Sequence, residues 1–193
     1  MLDNKHIEEI KRNYERAVKE GKIIESSPKY TDFFLKNSIN SLTTARVLFA
    51  LSTREDTRKK IGLASFDSFL WVINSAYYSM FYLARALLEN KGINLKTDLS
   101  IHSVTFNAFV YHFYLTGKIE RSLVEEFQEA EKEASEILGR EKARELVEDF
   151  SREKDKRGRF TYETGEIAMR NKAQTSLDRA KKFNEEMRKI LGR

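Results

Sequence analysis

One proline in the whole chain, Pro28, restricts the fold more than any other feature of the sequence. Proline and glycine supply most of the tight reversals that an all-β chain needs, and eight glycines spread over 193 residues allow only a handful of them. The long stretches between these stops are helical if apolar residues recur with a period near 3.6, and they do. The first segment, 3–20, carries Ile7, Ile10, Tyr14 and Val18 on one stripe and stops at Gly21. Ser26-Ser27-Pro28 is a favoured start for a second helix reaching Ser52, with serine before proline at the first turn. Phe34, Ile39, Leu42, Ala45 and Phe49 form its inward face, and the charged run 54–60 with Gly62 forms the next connection.

The third segment, 65–90, is the centre of the domain. Phe66, Phe69, Leu70, Ile73, Tyr77, Phe81, Ala84 and Leu88 make one apolar face, while Trp71, Tyr78, Tyr82 and Arg85 make a second, so this helix is covered on two sides. Asn90-Lys91-Gly92 ends it. A fourth helix follows from a Ser100 cap to Gly117, and a fifth from Arg121 to Leu138, continuing with a kink at Gly139 to about residue 151. The last spans 166–191. The spacing predicts an all-α fold, an antiparallel up-and-down bundle of five to six helices. No linker divides it. We expect a single domain over 1–193, with an added N-terminal helix within 1–27 and the core bundle in 28–193.

Composition narrows the chemistry. Thirteen Phe and eight Tyr provide core material, and 35 basic against 30 acidic residues describe a solvated helical surface rather than disorder. Without cysteine there is no disulfide, zinc–thiolate or thiol chemistry. The charged N-terminus lacks a signal-type apolar core, and the most apolar stretch, 66–88, is too polar to span a bilayer. A cytoplasmic protein is expected, with the Lys- and Glu-rich, Gln-poor usage of a thermophile. A net charge of +5 leaves two readings open, an approach to polyanions or a plain solvated surface.

Di-metal bundle sites need Glu-x-x-His pairs on one helical face. The residues three before His6, His102 and His112 are Asp3, Leu99 and Phe109, so no metal site is expected. Phosphate-loop, dinucleotide-binding and nucleophile-elbow glycine motifs are also absent from the sequence, and no cofactor is expected.

Two segments remain. The first is Ser75–Ile93, SAYYSMFYLARALLENKGI, with IHSVTFNAF following from Ile101; the second is the run Arg157-Gly-Arg-Phe-Thr-Tyr162 ahead of the last helix. An A-Y-Y-x-x-F-x-x-A-x-x-L-L helix, a glycine, a histidine, then a downstream Arg and Tyr, resembles the HEPN domain. The small stand-alone HEPN proteins of archaea and bacteria are the narrower likeness, over roughly residues 30–191. The resemblance implies a helical bundle that dimerises. It also implies RNA or nucleotide binding near a dimer groove, metal-independent endoribonuclease activity in many members, and a toxin-like pairing with a small nucleotidyltransferase. The ribonuclease members carry R-x4–6-H, in which Arg holds the scissile phosphate and His moves a proton. Here the pattern is R-x4-Y, Arg157 to Tyr162, with no histidine at that spacing. A tyrosine is a poor base near neutral pH.

Arg157, Tyr162 and His102 are therefore the candidates for catalysis, and Tyr162 is also a candidate nucleotide acceptor. Lys154, Lys156, Arg159, Tyr78, Tyr82 and Arg85 are the candidates for holding RNA or a nucleotide. Each has a plainer alternative. Arg157 and Tyr162 can be a surface cation and an anchor for the last helix, and Lys154, Lys156 and Arg159 a solvated charge run. Tyr78, Tyr82 and Arg85 can form a dimer seam, and Trp71 a core or interface residue. Tyr77 belongs in the core, His102 in capping or packing, and His112 among ordinary satisfied histidines. The competing functional class is a non-catalytic, dimeric helical scaffold.

Overall fold

A computed structural model of the protein describes residues 2–96, 100–148 and 159–192, with side chains over 2–96, 100–137, 139 and 168–192. Helices dominate it. They are α1 (Asn4–Lys19), α2 (Thr31–Thr53), α3 (Glu55–Lys60), α4 (Phe69–Asn90), α5 (Ile101–Phe109), α6 (Arg121–Glu148) and α7 (Arg159–Leu191). Two three-residue strands, β1 (Ile23–Glu25) and β2 (Ile93–Leu95), pair antiparallel with Ile24 opposite Asn94. The all-α expectation holds.

The core is built around α4. Val72, Ile73, Met80 and Phe81 are buried, and every residue from Leu83 to Glu89 is, so the second half of that helix is enclosed on all sides, which explains an apolar sequence with little room for charge. Burying a side chain of this size contributes roughly 1.5–3 kcal/mol. Against one side lies α2, antiparallel: Phe34 approaches Tyr82, Ser38 bonds Ser79, and Phe49 faces Phe69. On another side lies α7. Phe183 meets Phe109 and Phe127, and Asn184 reaches Ser79. Ser38, Ser79 and Asn184 close a fully buried hydrogen-bond network where α2, α4 and α7 meet.

α1 lies across α5 and the segment after it. Asp3 caps it by accepting from the His6 N–H at 2.8 Å, and Tyr14 stacks on Tyr111 at 3.9 Å while its hydroxyl meets His112 Nε2 at 2.8 Å. His112 lies in a π-helical turn, Val110–Tyr114, that prolongs α5. His112 is thus a satisfied histidine, as read from the sequence.

Several expectations need correcting. The second helix begins at Thr31, not at Ser26–Pro28, because β1 uses the preceding residues: the Ser26 N–H donates to Gly92 O at 2.9 Å. Ile39 is 39% exposed while Ser38 is buried, since the three-helix junction takes the small hydroxyl and turns Ile39 outward. Val18 also faces out, because the α1 seam runs through Ile10, Tyr14 and Ala17. The connection 54–60 contains the helix α3. Its two acids lead and its three bases trail, as the helix dipole favours, and Lys59 bonds Glu55 at 2.6 Å. The helix expected to continue past Gly139 does so, as α6, and α7 starts at Arg159 rather than near 166.

Candidate functional site

His102 is the second residue of α5, and it is packed against α4 by the A-Y-Y-x-x-F sequence of that helix. Positions 77 and 81 are four apart and lie on one face. Phe81 stacks on the imidazole at 4.5 Å, the Tyr77 ring stacks at 5.7 Å, and Tyr78 meets it edge-on at 5.9 Å. The Tyr77 hydroxyl lies 2.6 Å from Nδ1, so one proton is shared on that side of the ring and Nε2 is the nitrogen that Tyr77 does not engage.

The electrostatics of this cluster are one-sided. Burial, and then the Arg85 guanidinium, hold the His102 pKa below the ordinary histidine value, so the ring is neutral at pH 7. Burial pushes the Tyr77 hydroxyl upward, helped by Glu131 and Tyr78, which fixes it as the protonated phenol. Glu131 is itself shifted up by burial. The neutral imidazole can accept a proton at Nε2 in the tautomer whose Nδ1–H donates to the Tyr77 oxygen.

Tyr78 and Tyr82 extend the cluster toward the surface. Their rings are 5.8 Å apart, both are half-buried, and Tyr82 continues to Phe34 at 6.5 Å. Exposed Phe33 completes the row, edge-on to Phe34 at 5.3 Å. Arg85 lies beneath this row, 8% exposed, with its guanidinium 4.4 Å over the Phe34 ring and one nitrogen 3.4 Å from Leu95 O. Burial disfavours its charge, and Glu89, one turn further along α4, favours it. The same carboxylate accepts the Lys29 and Tyr30 N–H groups at 2.8 and 2.9 Å, tying the start of α2 to the end of α4. Arg85 is thus a buried guanidinium that adds to burial in lowering the His102 pKa.

Four predicted site residues, Tyr78, Tyr82, Arg85 and His102, come together in this cluster. Arg157, Lys154 and Lys156 lie outside the described residues, and Arg159 and Tyr162 lie on the first turn of α7 with side chains outside them. Sequence reasoning missed Phe34, Glu89 and Glu131 as members of the cluster or its support. Glu89 had a signal, since an acid four residues after Arg85 lies on the same face of α4. Glu131 and Phe34 had none, because they arrive from other helices. Trp71 is 51% exposed and sits outside the core.

A second concavity, an open groove of about 520 Å³, lies between the loop before α6 and the end of α7. Of its three lysines, Lys182 pairs with Glu126 and Lys189 with Glu186, both at 2.6 Å, and Lys118, Lys182 and Lys189 line it together with Glu120 and Glu186. That leaves little unbalanced charge for an anion. Among the described residues no three His, Asp or Glu side chains converge as metal ligands, and no helix is long and apolar enough to cross a membrane. No family model, no curated protein and no solved structure matches the chain.

Proposed function

We propose that the protein is a HEPN-like, cytoplasmic RNA- or nucleotide-binding protein whose binding face is the aromatic surface of α4 beside His102. The observation that carries this reading is that Tyr78 packs on a neutral, half-buried histidine and Tyr82 on Tyr78. Half-buried tyrosine rings are platforms for unstacked bases, and the basic stretch with Lys154, Lys156, Arg157 and Arg159 supplies phosphate contacts. In this reading Arg157 holds a phosphate and Tyr162 contacts the ribose or accepts a transferred nucleotide. His102 is the group able to take a proton from a 2′-hydroxyl, so metal-independent RNA cleavage would run through His102. The resemblance adds a biological setting, a toxin–antitoxin pair with a small nucleotidyltransferase and a chain that works as a homodimer.

The test is incubation of a mixed single-stranded RNA pool, without metal, with wild type, His102→Ala and Arg157→Ala. Cleavage lost in both variants, with binding weakened only by Arg157→Ala, supports the catalytic form of the proposal. Binding without cleavage leaves a nucleotide- or RNA-binding protein. Neither binding nor cleavage by folded protein rejects the reading. A second reading, a non-catalytic scaffold, is favoured by one observation: Tyr30, Phe33, Val47 and Trp71 are each more than half exposed.

A further inference from the structure

Trp71 is the single tryptophan of the chain, and it is 51% exposed although it stands in the first turn of the helix at the centre of the core. Its position on α4 is shared. Tyr78 follows seven residues later and Tyr82 eleven, so at ~3.6 residues per turn all three fall within about 40° of one another around the helix. They form one stripe, with Tyr78 and Tyr82 half-buried and Trp71 more open. Asn74 and Ser75, half-buried and polar, stand between Trp71 and Tyr78. α4 contributes no charged side chain from Phe69 to Ala84.

We propose that this stripe is a track for a single strand of RNA, with bases stacked on Tyr82, Tyr78 and Trp71, and not a pocket for one nucleotide. The inference rests on the reading of the α4 face as RNA- or nucleotide-binding, and it decides between those two ligands. Length is the first argument. From Trp71 to Tyr82 the stripe runs about 16.5 Å at ~1.5 Å per residue, several times the ~3.4 Å of one stacked base step. One nucleotide can stack at the Tyr78–Tyr82 pair, where the rings are 5.8 Å apart. It leaves Trp71 about 10.5 Å beyond Tyr78 along the helix, a distance that the further bases of a strand cover.

Chemistry is the second argument. Every base offers a π-face to a ring whatever its sequence, so three rings in line suit a strand. Base edges also supply N–H donors, and Asn74 Oδ1 has no hydrogen-bond partner. An apolar protein surface laid over the stripe would leave that oxygen unsatisfied. An acidic or basic peptide meets no counter-charge on this part of α4.

Trp71 reports on its own site, because no second indole contributes to the emission. AMP, a diadenylate and a hexaadenylate are titrated into the full chain at low salt. Tryptophan emission is followed, together with direct binding of a labelled hexaadenylate and its displacement by the unlabelled ligands. The hexaadenylate should quench Trp71 and bind at least about 10-fold more tightly than AMP. Trp71→Ala should weaken hexaadenylate binding about 5- to 150-fold, the equivalent of one stacked base at ~1–3 kcal/mol, with helical circular dichroism unchanged. AMP binding as tightly as the hexaadenylate overturns the proposal and leaves a nucleotide site. A hexaadenylate that binds without quenching Trp71, and equally well to Trp71→Ala, overturns the track while RNA binding stands. Folded protein that binds none of the three ligands overturns both the track and the reading it rests on.

Discussion

His102 and His112 are each met by a tyrosine hydroxyl, from Tyr77 at 2.6 Å and from Tyr14 at 2.8 Å, and burial lowers the pKa of both rings. A histidine whose folded pKa lies below its unfolded value binds fewer protons when folded. Stability is then full above the unfolded value of 6.5 and is lost as pH falls through the folded pKa. Glu131 acts in the opposite direction: its carboxyl is shifted up, so acid neutralises it in the folded chain first and favours folding. Melting curves at pH 7.5 and 5.5 should therefore show His102→Gln and His112→Gln losing less stability on acidification than wild type, and Glu131→Gln losing more. At the same scale, Asn184→Ala removes the amide that accepts from Ser38 and donates to Ser79, so each buried hydroxyl keeps only its carbonyl partner, Ser79 O and Ala76 O. Denaturant unfolding should register a loss of about 1–3 kcal/mol.

The elements show what was legible and what was not. The six helical segments read from the stripes all contain a helix, because each buries one face over three or more turns and leaves a period that a sequence displays. β1 and β2 were invisible, since three residues cannot establish a period of two. Their pairing depends instead on Gly92, which adopts φ +79° and passes so close to Ser26 O that an added Cβ would lie 2.8 Å from it. Gly92→Ala should cost at least about 1–2 kcal/mol, the left-handed penalty alone, and hydrogen exchange should show the loss concentrated at β1 and β2. α3 was missed for a different reason: it is held by charge order and has no buried residue. At the candidate site, Tyr78, Tyr82 and Arg85 were legible as one face of α4 because they share a helix. Phe34, Glu131 and the Tyr77–His102 bond were not, because they depend on how separate helices pack.

For the whole molecule, one central helix carries both the core and the proposed function. α4 is enclosed from Leu83 to Glu89, and Trp71, Tyr78 and Tyr82 reach the surface ahead of that stretch. Rigid support beneath half-exposed rings is what base stacking requires, since the platform pays no ordering cost on binding. The direct measurement is fluorescence anisotropy of a labelled single-stranded RNA across a salt series, with wild type and Tyr78→Ala/Tyr82→Ala. Binding should weaken linearly in log salt for both proteins, reflecting phosphate contacts. The double variant should bind at least about 30-fold more weakly at every salt concentration, since each of the two stacked bases contributes ~1–3 kcal/mol. A folded wild type that does not bind at low salt, or a double variant with unchanged affinity, would contradict RNA recognition on the α4 face.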